Sequence, residues 1–226
     1  MAIRTFGLEE ELHLVDPSTG ETTARSPEVL KIFGERATIP PGGLPRTAAD
    51  ELDAELFRHQ LETRTDPVLS GDEALSQLWA ARRTAAGAAG AAGAAVVAAG
   101  TLPLAARSAV VSPQDRYRDI VHRYGAIGRA AGTCGMHVHV GIDSDEEGVA
   151  VIDRLRPWLP VLLAVSANSP YANGEDSGYA SWLAGHVALA WCALDRCLAV
   201  EPDHDLAGQV AGLHVHAVPP HVWEEG

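Results

Sequence analysis

The sequence predicts an α+β fold, with a mainly antiparallel sheet packed against helices. Helical and extended segments follow one another without a regular βαβ rhythm. No glycine fingerprint of a dinucleotide-binding fold follows any strand. Two segments, residues 6–15 and 135–141, alternate apolar and polar side chains at the strand period of two. Phe6 to Val15 reads as a strand with Leu8, Leu12 and Leu14 spaced by two, and Asp16-Pro17-Ser18-Thr19-Gly20 is a turn leading to a return over Glu21 to Arg25. Ser26-Pro27-Glu28 starts a helix, with serine as cap and proline in the first turn. Pro40-Pro41-Gly42-Gly43 breaks the chain into a loop. The stretch from Ala54 to Thr65 suits helix or strand, with the alternation at Arg58, Gln60, Glu62 and Arg64 favouring strand in its second half. Ser70-Gly71-Asp72-Glu73 opens a long helix that runs into the repeat Gly87 to Gly93. That repeat reads as a close-packing helix, at a cost of about 1 kcal/mol of helix propensity per glycine. Further on come a short buried strand over Val96 to Thr101, a basic amphipathic helix over Gln114 to Ala131, and the strand Gly135 to Gly141. Asp145 to Val165 is helical but interrupted at Pro157 and Pro160, and Asn168 to Gly178 is a polar, glycine-rich loop.

Length and composition bound the function. The chain has 226 residues, 46% of them apolar, which is enough to bury the core of one good-sized domain. Its formal net charge of −13 argues against nucleic acid as a partner, because phosphate affinity comes from clustered Lys and Arg. It leaves room for an enzyme that binds phosphates through divalent metals held by carboxylates. Three unevenly spaced cysteines form no disulfide framework, so a reducing, cytoplasmic setting is expected. The N-terminus reaches Glu9, Glu10 and Glu11 before any apolar run and does not read as a signal peptide. The Ala/Gly/Val stretch from Ala85 to Gly100 is too short and too weakly apolar to span a bilayer, so no membrane partner is expected.

Four clusters carry chemistry. On a strand, Glu9 and Glu11 share a face and Glu10 points away. Two such carboxylates repel unless a divalent cation lies between them, and a solvated acidic edge is the alternative. Glu55 and Glu62, with Gln60 beside the latter, are separated by a spacing that means two turns in a helix but a change of face in a strand. Cys134-Gly135-Met136-His137-Val138-His139-Val140-Gly141 sets His137 and His139 on one strand face. That arrangement suits metal or anion binding, and it also suits a buried or solvent-facing pair. The flanking glycines let a ligand or a neighbouring backbone come close. Cys134 has no local base or helix N-terminus and reads as a buried structural thiol. The fourth is the loop from Ser166 to Trp182.

Together these motifs stand in a telling order: Phe-Gly-Leu-Glu-Glu-Glu-Leu, then Glu-x4-Gln-x-Glu-x-Arg-Thr from Glu55, Gly-Thr-Leu-Pro from Gly100, the Cys134–Gly141 segment, and Ser-Ala-Asn-Ser-Pro with Gly-x-Asp-Ser-Gly-Tyr-Ala-Ser-Trp. The order closely resembles the type 2 glutamate–cysteine ligases, or carboxylate–amine ligases, from about Thr5 to Trp182. The resemblance implies a glutamine synthetase-like catalytic fold and an ATP- and Mg²⁺-dependent ligase. Such enzymes phosphorylate a substrate carboxylate, commonly the side chain of glutamate, and an amine such as that of cysteine attacks the acyl phosphate. By the same resemblance Glu9, Glu11, Glu55 and Glu62 hold metal, and His137 contacts metal or phosphate. His137 and Glu62 are thereby the catalytic candidates. Gln60, His139, Asn168 and Tyr179 fall on the substrate side.

The resemblance ends at Trp182, where the family normally continues with Arg and this chain has Leu183. Residues 183–226 hold five of the ten histidines and two of the three cysteines, with Arg196 as their one basic residue. The expected division is therefore residues 1–182 as the N-terminal part of the catalytic domain, incomplete at its C-terminus, and 183–226 as a divergent tail of frameshifted character. His214-Val215-His216 repeats the His-x-His pattern there without acidic clusters around it. Apolar surface left by a missing half favours self-association. Two rival readings stand beside the ligase: a remnant that binds metal, nucleotide or a protein without turnover, and a Zn²⁺ hydrolase built on His137 and His139.

Overall fold

The computed structural model describes residues 3–37, 51–104, 109–125, 128, 132–172, 174–182 and 215–218. The expected α+β architecture is present. Strand β1 (Phe6–Val15) runs through the middle of the sheet. On one side it pairs antiparallel with β3 (Gln60–Arg64), which pairs antiparallel with the two-residue β2 (Asp53–Ala54). On the other side β1 pairs antiparallel with β5 (Met136–Gly141) over its first half and with β4 (Ala95–Val97) at its end. β8 (Val215–Val218) lies parallel to β5 at the outer edge. The short strands β6 (Tyr171–Ala172) and β7 (Glu175–Asp176) form a separate hairpin inside the expected polar loop.

The alternation of β1 separates core from site. Leu12 and Leu14, with Leu61 across the ladder, face helices α1 (Ser26–Ala37) and α2 (Gly71–Ala91). They pack with Val29 of α1 and with Ala85, Ala88 and Ala89 of α2. The alanine-rich half of α2 is thus a packing surface, as its composition predicts, and small side chains bring the helix axis close to the sheet. Ser70 caps α2 by accepting a hydrogen bond from the Glu73 N–H at 3.2 Å. Gly93, at φ +71°, turns the chain out of the helix in a conformation that glycine adopts without steric cost. Glu10 shares the core face, is 3% exposed, and meets Arg82 of α2 in a two-pronged ion pair, with Arg82 Nε 2.7 Å from one carboxylate oxygen.

Some elements differ in extent from expectation. β4 stops at Val97 because the following residues bond to loops: the Gly100 carbonyl accepts from Cys134 N–H at 3.0 Å, and the Thr101 hydroxyl donates to the Tyr171 carbonyl at 2.7 Å. The return after the first turn is a single bridge between Val15 and Thr22. Helix α3 (Asp115–Tyr124) is capped by Gly125; beyond it Gly128 is again helical, and residues 126–127 and 129–131 of the expected stretch lie outside the described residues. Helix α4 (Asp145–Leu155) breaks into a 3-10 turn over Arg156–Trp158 and resumes as α5 (Leu159–Ser166), so Pro157 and Pro160 interrupt it where they stand. The Pro40–Gly43 loop and the tail up to His214 lie outside the described residues. No helix among the described residues is long and apolar enough to cross a membrane.

Candidate metal and ligand site

The face of the sheet opposite the helices gathers the acidic and imidazole side chains. Register explains how. Glu9 is the ladder partner of both Arg64 and His137, Glu11 is the partner of Glu62, and Asp53 is the partner of Glu62 on its other side. Partners across a ladder share a face, so three strands deliver Glu9, Glu11, Glu62 and His137 to one surface. His139 stands opposite Gly7, which contributes no side chain, and its Nε2 reaches diagonally to Glu9 at 2.9 Å. His137 Nδ1 is 3.3 Å from the same Glu9 oxygen, and its Nε2 is 4.0 Å from Glu11. Among the described residues, ligand atoms of Glu9, His137 and His139 all fall within 4.8 Å of one another.

The electrostatics follow from this crowding. Hydrogen bonds from His137 and His139 hold the Glu9 carboxyl well below the usual carboxylate range. The same contact with Glu9 pushes His137 upward. Burial raises Glu11, partly opposed by the Gly135 N–H, which donates to its carboxylate at 2.8 Å. Glu62 is pushed up to about 7, by burial first and then by the charges of Glu9, Glu55 and Glu11. Glu55 follows β2, and the hairpin between β2 and β3 brings it near Glu62, so the strand reading of that spacing holds in its second half. Buried carboxylates that raise one another's pKa form a site that a divalent cation relieves. The donor set fits one: carboxylate oxygens suit Mg²⁺, and adjoining imidazole nitrogens suit softer divalent ions.

The remaining expected residues divide. Gln60 is buried, and its amide nitrogen donates to the Thr133 carbonyl at 2.7 Å and contacts Cys134 Sγ at 3.4 Å. It therefore ties β3 to the segment entering β5. Cys134 is a buried free thiol, raised well above its ordinary pKa by burial, as its surroundings predict. Asn168 and Tyr179 are exposed, and among the described residues no hydrogen bond joins either to the Glu–His cluster. Gly141 lets Thr5 come close: a Cβ there would meet the Thr5 hydroxyl at 3.0 Å and its carbonyl oxygen at 3.5 Å. Sequence reasoning missed Asp53 and Arg64 as members of the site face. It also missed the stacked series Phe57–His59–His13 that closes its far end, with ring centroids 5.4 and 6.0 Å apart. For Arg64 a signal existed, since it alternates with Gln60 and Glu62.

The sequence pattern describing glutamate–cysteine ligase family 2 matches residues 5–182. The chain belongs to glutamate–cysteine ligase family 2. The family segment thus ends at Trp182, where the motifs also end. Among relatives, a protein of Nocardioides sp. provisionally named glutamate–cysteine ligase 2-1 is 62% identical over 182 residues, covering 80% of this chain and 47% of its own. Similarly named proteins of Streptomyces avermitilis and Mycolicibacterium smegmatis are 44% and 40% identical, covering 80% and 79% of this chain and 47% and 46% of theirs. This family 2 member spans about half the length of the curated relatives it matches.

Proposed function

We propose that this chain carries the metal-binding face of an ATP-dependent carboxylate–amine ligase. The acid substrate on this reading is glutamate, joined through its side-chain carboxylate to an amine such as that of cysteine. The observation that carries the reading is the convergence of Glu9, Glu11, Glu62 and His137 from three strands onto one partly buried face. Glu9, Glu11 and Glu62 would hold Mg²⁺, which would supply positive charge to offset the negative charge that builds in phosphoryl transfer. Gly135 N–H fixes the Glu11 carboxylate, and Glu9 holds His137 by its Nδ1, leaving Nε2 directed toward Glu11 and the ligand side. ATP gives its γ-phosphoryl group to the carboxylate, the amine attacks the acyl phosphate, and phosphate leaves. The net charge of −13 and the three unevenly spaced cysteines fit a cytoplasmic enzyme acting on small molecules.

The end of the family match at Trp182, inside this chain, favours a second reading, in which the chain binds Mg²⁺–ATP without turnover. Titration of Mg²⁺–ATP followed by an ADP-release assay with glutamate and cysteine separates the two. Binding with turnover supports the ligase, and binding alone supports the remnant. Absence of Mg²⁺-dependent binding refutes both.

A further inference from the structure

We propose that Arg64 is the oxyanion anchor of this site, taking a phosphate or carboxylate oxygen pair of the metal-bound ligand by exchanging its present partner, Asp53. The inference rests on the reading of Glu9, Glu11 and Glu62 as cation holders. Arg64 is the ladder partner of Glu9, so it stands on the site face, in the row that also contains His137. Its guanidinium pairs with Asp53 and lies 3.9 Å from Glu51. Asp53 and Glu51 are about half exposed, and Arg64 is 39% exposed. Ion pairs this exposed to water are weak, so a ligand oxyanion can replace Asp53 at small cost.

The chemistry of the face requires such a group. A cation on Glu9, Glu11 and Glu62 is neutralised by those carboxylates, so an incoming polyphosphate or dicarboxylate brings negative charge onto an already acidic surface. The guanidinium is permanently charged and presents its donors as a planar fork that matches two oxygens at once. The histidines, engaged with Glu9, do not offer that geometry. Arg4, by contrast, is committed at the far end of β5 to the Gly141 carbonyl, Asp143 and Glu147. The ion pair with Asp53 keeps the Arg64 guanidinium beside the site, where it can exchange partners.

The test uses the full chain and its Arg64→Ala and Arg64→Lys variants, titrated with Mg²⁺ alone, Mg²⁺–ATP, Mg²⁺–pyrophosphate and, with Mg²⁺ present, glutamate. Near-ultraviolet circular dichroism checks that each variant is folded. Arg64→Ala is expected to keep Mg²⁺ affinity within about twofold and to weaken one oxyanion ligand roughly tenfold or more, with Arg64→Lys in between because it lacks the fork. Loss confined to ATP and pyrophosphate assigns the anchor to phosphate, and loss confined to glutamate assigns it to the carboxylate. Wild-type affinity for all oxyanions in folded Arg64→Ala overturns the proposal, as does a wild-type chain that binds Mg²⁺ but no oxyanion. A wild-type chain that does not bind Mg²⁺ overturns the underlying reading of the site together with it.

Discussion

Replacing Glu62 with glutamine should make the metal-free protein more stable above neutral pH, although it removes a residue of the site. In the folded protein Glu62 titrates at about 7, against an ordinary value of 4.5, because it is buried beside Glu9, Glu55 and Glu11. Below 4.5 the carboxyl is protonated in folded and unfolded chains alike. Between 4.5 and about 7 only the unfolded chain ionises, so stability falls as pH rises through that window and stays low above it. At about 1.4 kcal/mol per pH unit, the full penalty is about 3 kcal/mol. Glutamine keeps the shape and cannot ionise. Urea unfolding in the presence of a chelator, at about pH 5 and about pH 8, reads the difference. The variant should exceed wild type by up to about 3 kcal/mol at the higher pH and by much less at the lower. Added Mg²⁺ should then stabilise wild type more than the variant. An equal gain at both pH values, or a variant weaker than wild type at about pH 8, would refute the claim that carboxylate crowding strains the empty site.

Other consequences are testable in the same way. Arg82→Met leaves Glu10 buried and unpaired and should cost about 3–5 kcal/mol in urea unfolding, while the double variant Glu10→Leu with Arg82→Met should recover much of it. Glu11→Ala and His137→Ala should each weaken Mg²⁺-dependent nucleotide binding roughly tenfold or more with the circular dichroism spectrum retained, and unchanged affinity in both would remove them from the site. Burial, with a further push from the charge of His59, lowers His13 to about 4. Unfolding therefore takes up a proton at that residue between about 4 and 6.5, and stability should rise with pH across that window. His13→Phe should flatten that rise in a series of thermal melts, and an unchanged slope would exclude His13 as its source.

How much was legible depended on the range of the interaction. The alternation of β1, the Ser70 cap and the proline breaks at 157 and 160 are local signals, and the sequence displays each of them in its own neighbourhood. That β3 and β5 both flank β1 is not local. It depends on β1 being the central strand, which no spacing reveals. The spacing of Glu55 and Glu62 is ambiguous for the same reason: a seven-residue separation acquires meaning only once the hairpin between β2 and β3 brings the two charges near each other. Gln60 shares the face of Glu62 by alternation, yet it is buried at the start of β3, where its amide donates to the Thr133 carbonyl, a partner no spacing reveals. Arg64 carried no partner in sequence, because Asp53 meets it only across a strand pair.

The division of β1 into two faces has a further effect on how this chain reaches its fold. Shifting β1 by one residue against either neighbour would turn Glu9 and Glu11 into the alanine-rich helix layer and Leu12 and Leu14 out of it, onto the Glu–His face. The site carboxylates therefore act as a register lock, penalising misalignment during folding whether or not a ligand is ever bound. Inactive controls made by replacing them with leucine would remove that penalty and broaden the set of accessible alignments. Glutamine in their place would silence the charge while keeping the alignment unique.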